Sequence, residues 1–272
     1  MHELALGKPV EYSEHYDPQL LQAVPRSLSR EQIGLSANNL PFHGFDIWNG
    51  YELSWITPKG LPRVAILVCK VPFNSPNLIE SKSFKLYLNS LNQSIFESTN
   101  KLKAVITSDL SNIAGADVDV TIIPVQDFPT LSIGDLAGDI IDNQDIEIDY
   151  NGLSPNVLRL HQNHAECEET LVSHLLKSNC LITNQPDWAS VQIRYCGAKI
   201  CRESLLRYLI SFRQHNEFHE QCVERIFNDI MHRCKPAKLS VYARYTRRGG
   251  LDINPFRSNF ESSCDNIRLA RQ

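Results

Sequence analysis

An order of elements that occurs twice limits the folds open to this chain more than any other feature. In the first half, residues 51–56 and 64–71 read as strands. A helical stretch from about Ser83 then carries Phe84, Tyr87, Leu88, Leu91 and Ile95 at helical spacing, and Val118, Val120 and Ile122 alternate as a further strand. In the second half, Val191, Ile193 and Tyr195 alternate with polar neighbours. Leu205, Leu206, Leu209, Ile210 and Phe212 mark one helix, and Cys222, Val223, Ile226, Phe227, Ile230 and Met231 mark another. Leu239, Val241, Ala243 and Tyr245 alternate before a Gly249-Gly250 turn and a short return strand at 251–253. The segments Tyr87-Leu88-Asn89-Ser90-Leu91-Asn92-Gln93 and Tyr208-Leu209-Ile210-Ser211-Phe212-Arg213-Gln214 agree at Tyr, Leu, Ser and Gln. A tandem duplication of one module, an antiparallel sheet packed on helices, accounts for both observations. It predicts an α+β fold with modules at residues 1–145 and 146–272.

Size and charge are compatible with two such modules. The chain has 272 residues, 42% of them hydrophobic, enough for two cores. A net charge of −4 supplies no global basic field to hold nucleic acid or an anionic membrane. The first residues lack the basic start and apolar run of a signal peptide, and no stretch reaches the apolar length that spans a bilayer, so the expected location is cytoplasmic. Eight cysteines without any C-x-x-C fit a reduced compartment better than a disulfide framework. Lys and Arg are absent between Lys103 and Arg159, while Asp127, Asp135, Asp139, Asp142, Asp145, Glu147 and Asp149 crowd that interval, which reads as an acidic connector. Lys235, Lys238, Arg244, Arg247, Arg248 and Arg257 form the opposite pattern. They make either a site for a phosphorylated ligand or a solvated strand face.

Several residue groups can carry chemistry, each with a plainer reading beside it. Cys180 precedes a strand and lies off any apolar helix face. A nearby Lys177 ammonium would favour its thiolate, and Asp187 returns after Pro186 as a potential acid. On spacing alone, an inert cysteine and a strand-capping Asp are the commoner pair. Cys222 and Cys69 sit on apolar faces and read as core. His161, His164 and Cys167, or His215 and His219 if helical, have spacings zinc can use, but neither H-E-x-x-H nor C-x-x-C completes a site, and no metal is expected. Neither G-x-G-x-x-G nor a P-loop occurs. A phosphate could instead be held by Ser81-Lys82 and Arg247-Arg248-Gly249-Gly250, or those residues could form only a helix start and a hairpin turn. Glu80 and Glu220, near helix starts, could accept paired N–H bonds from a purine-like ring or simply favour the helix dipole.

Glu80-Ser81-Lys82-Ser83-Phe84-Lys85-Leu86-Tyr87 resembles the signature E-[SL]-K-[SA]-x-K-x-[YFW] of the NADPH-dependent 7-cyano-7-deazaguanine reductases of queuosine biosynthesis, a tRNA modification. The stretches around Pro41–Asn49, Cys180–Trp188, His219-Glu220 and Arg244–Pro255 look like the longer, two-module form of that family. The resemblance implies two tunnelling-fold modules, a homodimer, and no direct nucleic-acid or membrane partner. It implies that Cys180 attacks the nitrile carbon to form a thioimide, that Asp187 supplies a proton, and that His219 assists proton delivery or holds the imine. Ile79, Glu80, Ser81, His219 and Glu220 would bind the deazaguanine, and Ser81, Lys82, Arg248 and Gly249 would contact NADPH. Read without the resemblance, Cys180 and Asp187 would also serve a thiol hydrolase of nitriles or amidines, and the two Glu anchors a non-catalytic purine-binding module.

Overall fold

The computed structural model describes residues 13–148, 152–163 and 165–272. In chain order they form β1 (Ala23–Pro25), α1 (Arg26–Gln32), β2 (His43–Ile56), β3 (Pro62–Pro72), β4 (Asn77–Ile79), α2 (Ser81–Ser90), α3 (Thr99–Ala114), β5 (Asp119–Pro124), β6 (Ile133–Gly134) and β7 (Asp139–Ile140). They continue as β8 (Glu166–Asn179), β9 (Pro186–Ala198), α4 (Arg202–Ser211), α5 (His219–Cys234), β10 (Lys238–Tyr245), β11 (Leu251–Ser258) and β12 (Arg268–Leu269). The elements group into two compact units. Unit one holds the described part of Met1–Ala37 with Phe45–Ser132 and Arg247–Ile253; unit two holds Asn38–Gly44, Ile133–Thr246 and Asn254–Gln272. Among the described residues no helix is long and apolar enough to cross a membrane.

In unit one, β3 pairs antiparallel with both β2 and β5, and the β2–β3 register shifts between Gly50 and Leu53, a bulge that bends the hairpin. Alternation along β3 buries Ala65, Leu67, Cys69 and Val71 against Phe84, Tyr87 and Leu88 of α2 and Leu102, Ile106 and Leu110 of α3. α2 starts on the Glu80 cap and α3 on Ser98, whose side chain accepts from the Lys101 amide; Gly115 ends α3 in the left-handed region. α2 stops at Ser90, so Ile95 lies beyond the helix and is exposed. Its backbone neighbours turn instead toward Ile56, whose N–H and C=O bond Ser94 and Phe96.

Unit two repeats this construction. β9 pairs antiparallel with β8 and β10, and the β8–β9 register shifts between Ser173 and Leu176. β10 also pairs antiparallel with β11. Leu171, Leu176, Val191, Ile193, Leu205, Leu209, Phe212, Val223, Ile226, Phe227 and Val241 form the buried apolar set. The described part of the acidic segment that falls in unit two packs on that unit. β7 runs parallel to β8, Asp139 pairs with Arg202, and the Asp142 carboxylate accepts from the His174 amide; Asp149 lies outside the described residues. The sequence suggests a contiguous basic surface at 235–257, and the structure corrects that. Arg244 and Arg257 are interior: Arg257 pairs with buried Glu224 at 2.9 Å, and Arg244, on the strand face opposite Ala243 and Tyr245, donates to Gln272, Tyr242 and Asn266.

Candidate active site

The β8–β9 hairpin places the nucleophile candidate. Ser178 faces Asp187 and Asn179 faces Pro186 across the ladder, so Cys180 is the first residue beyond the paired end. The turn closes on Cys180 itself: its N–H donates to the Gln185 carbonyl at 2.8 Å, and its carbonyl accepts from the Asn184 N–H at 3.0 Å. Asn184 takes a left-handed φ of 57°, which Asn tolerates better than most residues. The segment before α5 grips the same turn from the side. The Asn216 carboxamide donates to the Cys180 carbonyl and to the Asn184 side chain, and the Asn179 amide and carbonyl bond His215 and Glu217. Cys180 is 6% exposed, so its thiol is held by fixed backbone in a site largely shielded from water. The expected Lys177 ammonium bonds the Asn179 side chain and the Arg213 carbonyl, each at 2.6 Å. Burial and the Arg213 charge lower its pKa, against the opposing pull of Asp187.

Asp187 points to the buried side of β9, and His219 opens α5 opposite it. The His219 Nε2 lies 3.2 Å from Asp187 Oδ2, with both side chains largely buried. The imidazole stacks flat on the Tyr245 ring, centroids 3.8 Å apart and planes within 7°. Among the described residues, His219 Nδ1 is a buried ring nitrogen without a hydrogen-bond partner. The structure thus brings Asp187 and His219 together and adds Tyr245, which strand periodicity marks only as an inward-facing residue. Glu220 is 4% exposed in the first turn of α5, whose N-cap Phe218 offers no side-chain oxygen.

The remaining predicted residues lie in unit one. Ile79 is buried on β4, paired with Ala23. Glu80 is the N-cap of α2: Oε1 accepts from the Lys82 amide at 2.8 Å and Oε2 from the Ser83 amide at 2.7 Å. It is therefore a structural cap, and each carboxylate oxygen keeps a second lone pair for another donor. Ser81 and Lys82 follow in the first turn, both partly exposed. The Gly249-Gly250 turn is closed by Arg248 and Leu251, whose amides and carbonyls exchange hydrogen bonds; φ values of 58° and 80° lie in the left-handed region that favours glycine. A Cβ added at Gly249 would stand 3.8 Å from the Lys85 side chain, so the tip of the turn faces α2.

Of the other cysteines and histidines, Cys222 lies beneath this arrangement against Tyr245, and His161, Cys167 and His215 have partners elsewhere. Burial pushes the Cys69 and Cys222 thiols far up, as core positions require. His215 and His219 do not share a helix face, since α5 begins at His219; His215 instead contacts Glu217. His161 bonds Asn163, Cys167 donates toward Tyr195, and His164 lies outside the described residues. Among the described residues, no group of three His, Cys, Asp or Glu side chains could hold a metal ion. A cavity of about 660 Å³ opens elsewhere in unit two, beside Arg159, Cys201 and Arg202 at the start of α4.

Comparison with known proteins identifies the family to which these two units belong. Residues 12–122 match the family described as nitrile reductase, 7-cyano-7-deazaguanine-reductase N-term, and residues 186–263 match the one described as QueF-like protein. The NADPH-dependent 7-cyano-7-deazaguanine reductase of Ralstonia nicotianae is 58% identical over 269 residues, covering 98% of this chain and 97% of the relative. With a cysteine-bearing hairpin in unit two and the complete signature helix in unit one, the chain belongs to the 7-cyano-7-deazaguanine reductase family, in its two-module α+β tunnelling-fold form.

Proposed function

We propose that this protein is an NADPH-dependent oxidoreductase that reduces the nitrile of 7-cyano-7-deazaguanine to an aminomethyl group, a step of queuosine biosynthesis, through a covalent thioimide on Cys180. The observation that carries the reading is the Cys180 turn beside the buried Asp187–His219 pair. The Cys180 sulfur adds to the nitrile carbon and the electron pair moves to nitrogen, which takes a proton from Asp187. A soft thiolate suits this electrophile, and a turn fixed by Gln185, Asn184 and Asn216 holds the sulfur ready without reorganisation. His219 keeps Asp187 oriented through Nε2 and presents Nδ1 to the substrate nitrogen. After the first reduction the C–S bond breaks, returning the thiolate and leaving an imine, which His219 holds until the second.

Glu80 and Glu220 accept N–H bonds from the deazaguanine ring, with Ile79 and Ser81 offering neighbouring backbone groups. The residues around the glycine turn suit a phosphorylated cofactor. Lys82 and Arg248 are partly exposed cations, and Gly249 is exposed with no side chain to bar close approach. Ser81, Lys82, Arg248 and Gly249 would hold NADPH, which when bound supplies one hydride per reduction. The balance is one nitrile, two NADPH and two protons to one amine and two NADP⁺. In this reading the two modules, 1–145 and 146–272, share the work: the first supplies Ile79, Glu80, Ser81 and Lys82, and the second supplies His219, Glu220, Arg248 and Gly249 together with the covalent chemistry of Cys180 and Asp187. The protein works in the cytoplasm as a homodimer without binding nucleic acid directly.

The test follows NADPH absorbance on addition of 7-cyano-7-deazaguanine to wild type and Cys180→Ala. Two NADPH consumed per nitrile by the wild type alone is the expected result. Saturable binding without consumption overturns the reductase reading.

A further inference from the structure

We propose that Gln272 and Tyr245 are positioning residues that hold the His219 imidazole in its working orientation. The inference rests on the role given to His219 above and extends it to a segment that takes no direct part in the reaction. Tyr245 is the last residue of β10. The β10–β11 register runs from Ser240↔Ser258 to Tyr242↔Phe256, so the ladder stops short of Tyr245, whose backbone N–H and C=O are left to be satisfied otherwise. Two carboxamides fill those places. The Tyr245 N–H donates to Asn254 Oδ1 at 3.2 Å, and Gln272 Nε2 donates to the Tyr245 carbonyl and to the same Asn254 oxygen, each at 2.9 Å.

The Gln272 side chain is itself fixed on every side. Its Oε1 accepts from Arg244 Nε at 2.9 Å and from the Leu269 amide at 3.1 Å, so both donors and both lone pairs of the carboxamide are used in a residue 4% exposed. Such a fully satisfied buried group has one orientation, because any rotation strands several hydrogen bonds away from water. It fixes the backbone of Tyr245 at the strand end, and with it the ring that lies flat against His219 at 3.8 Å. The stack sets the plane of the imidazole, and the Nε2 contact to Asp187 sets its rotation within that plane. Neither contact alone would hold both.

The experiment combines kinetics with NMR on protein labelled at histidine. In the wild type, the His219 ring protons sit over the Tyr245 face and resonate upfield of the other histidines. Tyr245→Leu abolishes that shift, Gln272→Ala diminishes it, and Tyr245→Phe retains it. Loss of a positioned proton-transfer group lowers kcat for the nitrile about tenfold in Tyr245→Leu and Gln272→Ala, with KM for nitrile and NADPH within about twofold of wild type. Tyr245→Phe recovers most of the loss. The double variant Tyr245→Leu/Gln272→Ala is no worse than Tyr245→Leu alone, since both act on one ring. An unmoved His219 resonance and unchanged kcat in Gln272→Ala overturn the proposal. So does a Tyr245→Phe variant as impaired as Tyr245→Leu, or additive losses that follow thermal stability. If the wild type reduces no nitrile, the proposed function falls, while the His219 shift still decides whether Gln272 holds the ring.

Discussion

The two modules share a scaffold down to single hydrogen bonds and differ at the positions given to the proposed chemistry. In unit one, Ser83 Oγ accepts from the Gln22 amide, the Glu80 amide donates to the Gln22 carbonyl, and Ser90 accepts from the Asp17 amide. In unit two, Ser204, Cys201 and Ser211 make the same bonds to Arg159 and Ser154. Tyr87 donates to Asp109 at 2.7 Å and Tyr208 to Asp229 at 2.6 Å. The backbone of Ile56 bonds Ser94 and Phe96, and that of Asn179 bonds His215 and Glu217. By this correspondence Thr57 stands where Cys180 stands. Cys201 takes the place of Glu80, and the helix that Ser98 caps in unit one opens with His219 in unit two. What was kept after duplication is the set of bonds joining segments distant in sequence. What diverged are a turn and two helix starts, where a fixed backbone presents a side chain that can change without altering the chain path.

The largest effect that would break this comparison is at the paired turn positions. Cys180→Ala is expected to lower nitrile-dependent NADPH oxidation by at least about a thousandfold, since the proposed mechanism gives the covalent adduct to Cys180 alone. Thr57→Ala, which removes only a turn hydrogen bond to the Leu61 amide, leaves steady-state turnover within about twofold. Equal damage from both would mean that the units are not functionally distinct.

The conserved Tyr–Asp pairs come next. Tyr87→Phe and Tyr208→Phe should each lower unfolding free energy by about 1–2 kcal/mol in denaturant titrations, because a half-buried carboxylate loses a hydrogen bond from a buried ring; the Tyr87 effect is the smaller, since Asp109 also accepts from Tyr16. The second carries a pH signature. Burial raises the Asp229 pKa above its ordinary value, outweighing the Tyr208 hydrogen bond and the Arg225 charge. The folded state therefore binds that proton more readily than the unfolded chain, and stability falls as pH rises through the window between the two values. Removing the Tyr208 hydroxyl widens the window, so the Tyr208→Phe deficit is full at neutral pH and shrinks on acidification. A deficit that grows toward acid pH would contradict this assignment.

Helix starts give a smaller difference. Glu80→Ala removes a cap and is expected to lower stability by about 1 kcal/mol while also raising KM for the nitrile. At the matching position burial pushes the Cys201 thiol up, but hydrogen bonds from the Ser204 amide and Arg159 outweigh it and the net shift is downward. Cys201→Ala should leave KM for the nitrile unchanged, and a rise there would sharpen the comparison by giving α4 a part in binding.

The smallest effect is the acid limb at Glu169, whose pKa burial raises, while hydrogen bonds from Tyr195 and Arg202 and the charges of Arg202 and Lys199 lower it more. A carboxylate held below its unfolded value of 4.5 contributes stability above that value and loses it as pH falls through the folded one. Glu169→Gln should flatten the stability profile below pH 4.5 and leave the slope due to Asp229 intact.

Local periodicity carried much of the fold. The inward faces of α2, α4, α5, β3, β9 and β10 follow from spacing alone, as does the two-glycine turn, because each depends on neighbours within a few residues. The segment beginning at Glu80 and the Cys180–Asp187 segment were legible as candidate chemistry only through the family resemblance, since on spacing alone the plainer structural reading was the commoner one. β8 was not, since its bulge at Ser173–Leu176 interrupts the alternation that would reveal it. Arg244 and Arg257 looked like surface charge, and only their partners Gln272 and Glu224 show why they are buried. His219 read as a candidate without neighbours, and Asp187 and the Tyr245 ring reach it from strands far along the chain. The sequence by itself determined the duplication, the element types and the inventory of reactive groups, all of which are properties of near neighbours. Tertiary structure alone decided which of those groups meet and in what orientation, because hydrogen bonds and ring contacts between distant segments depend on strand order and register, which no local pattern encodes.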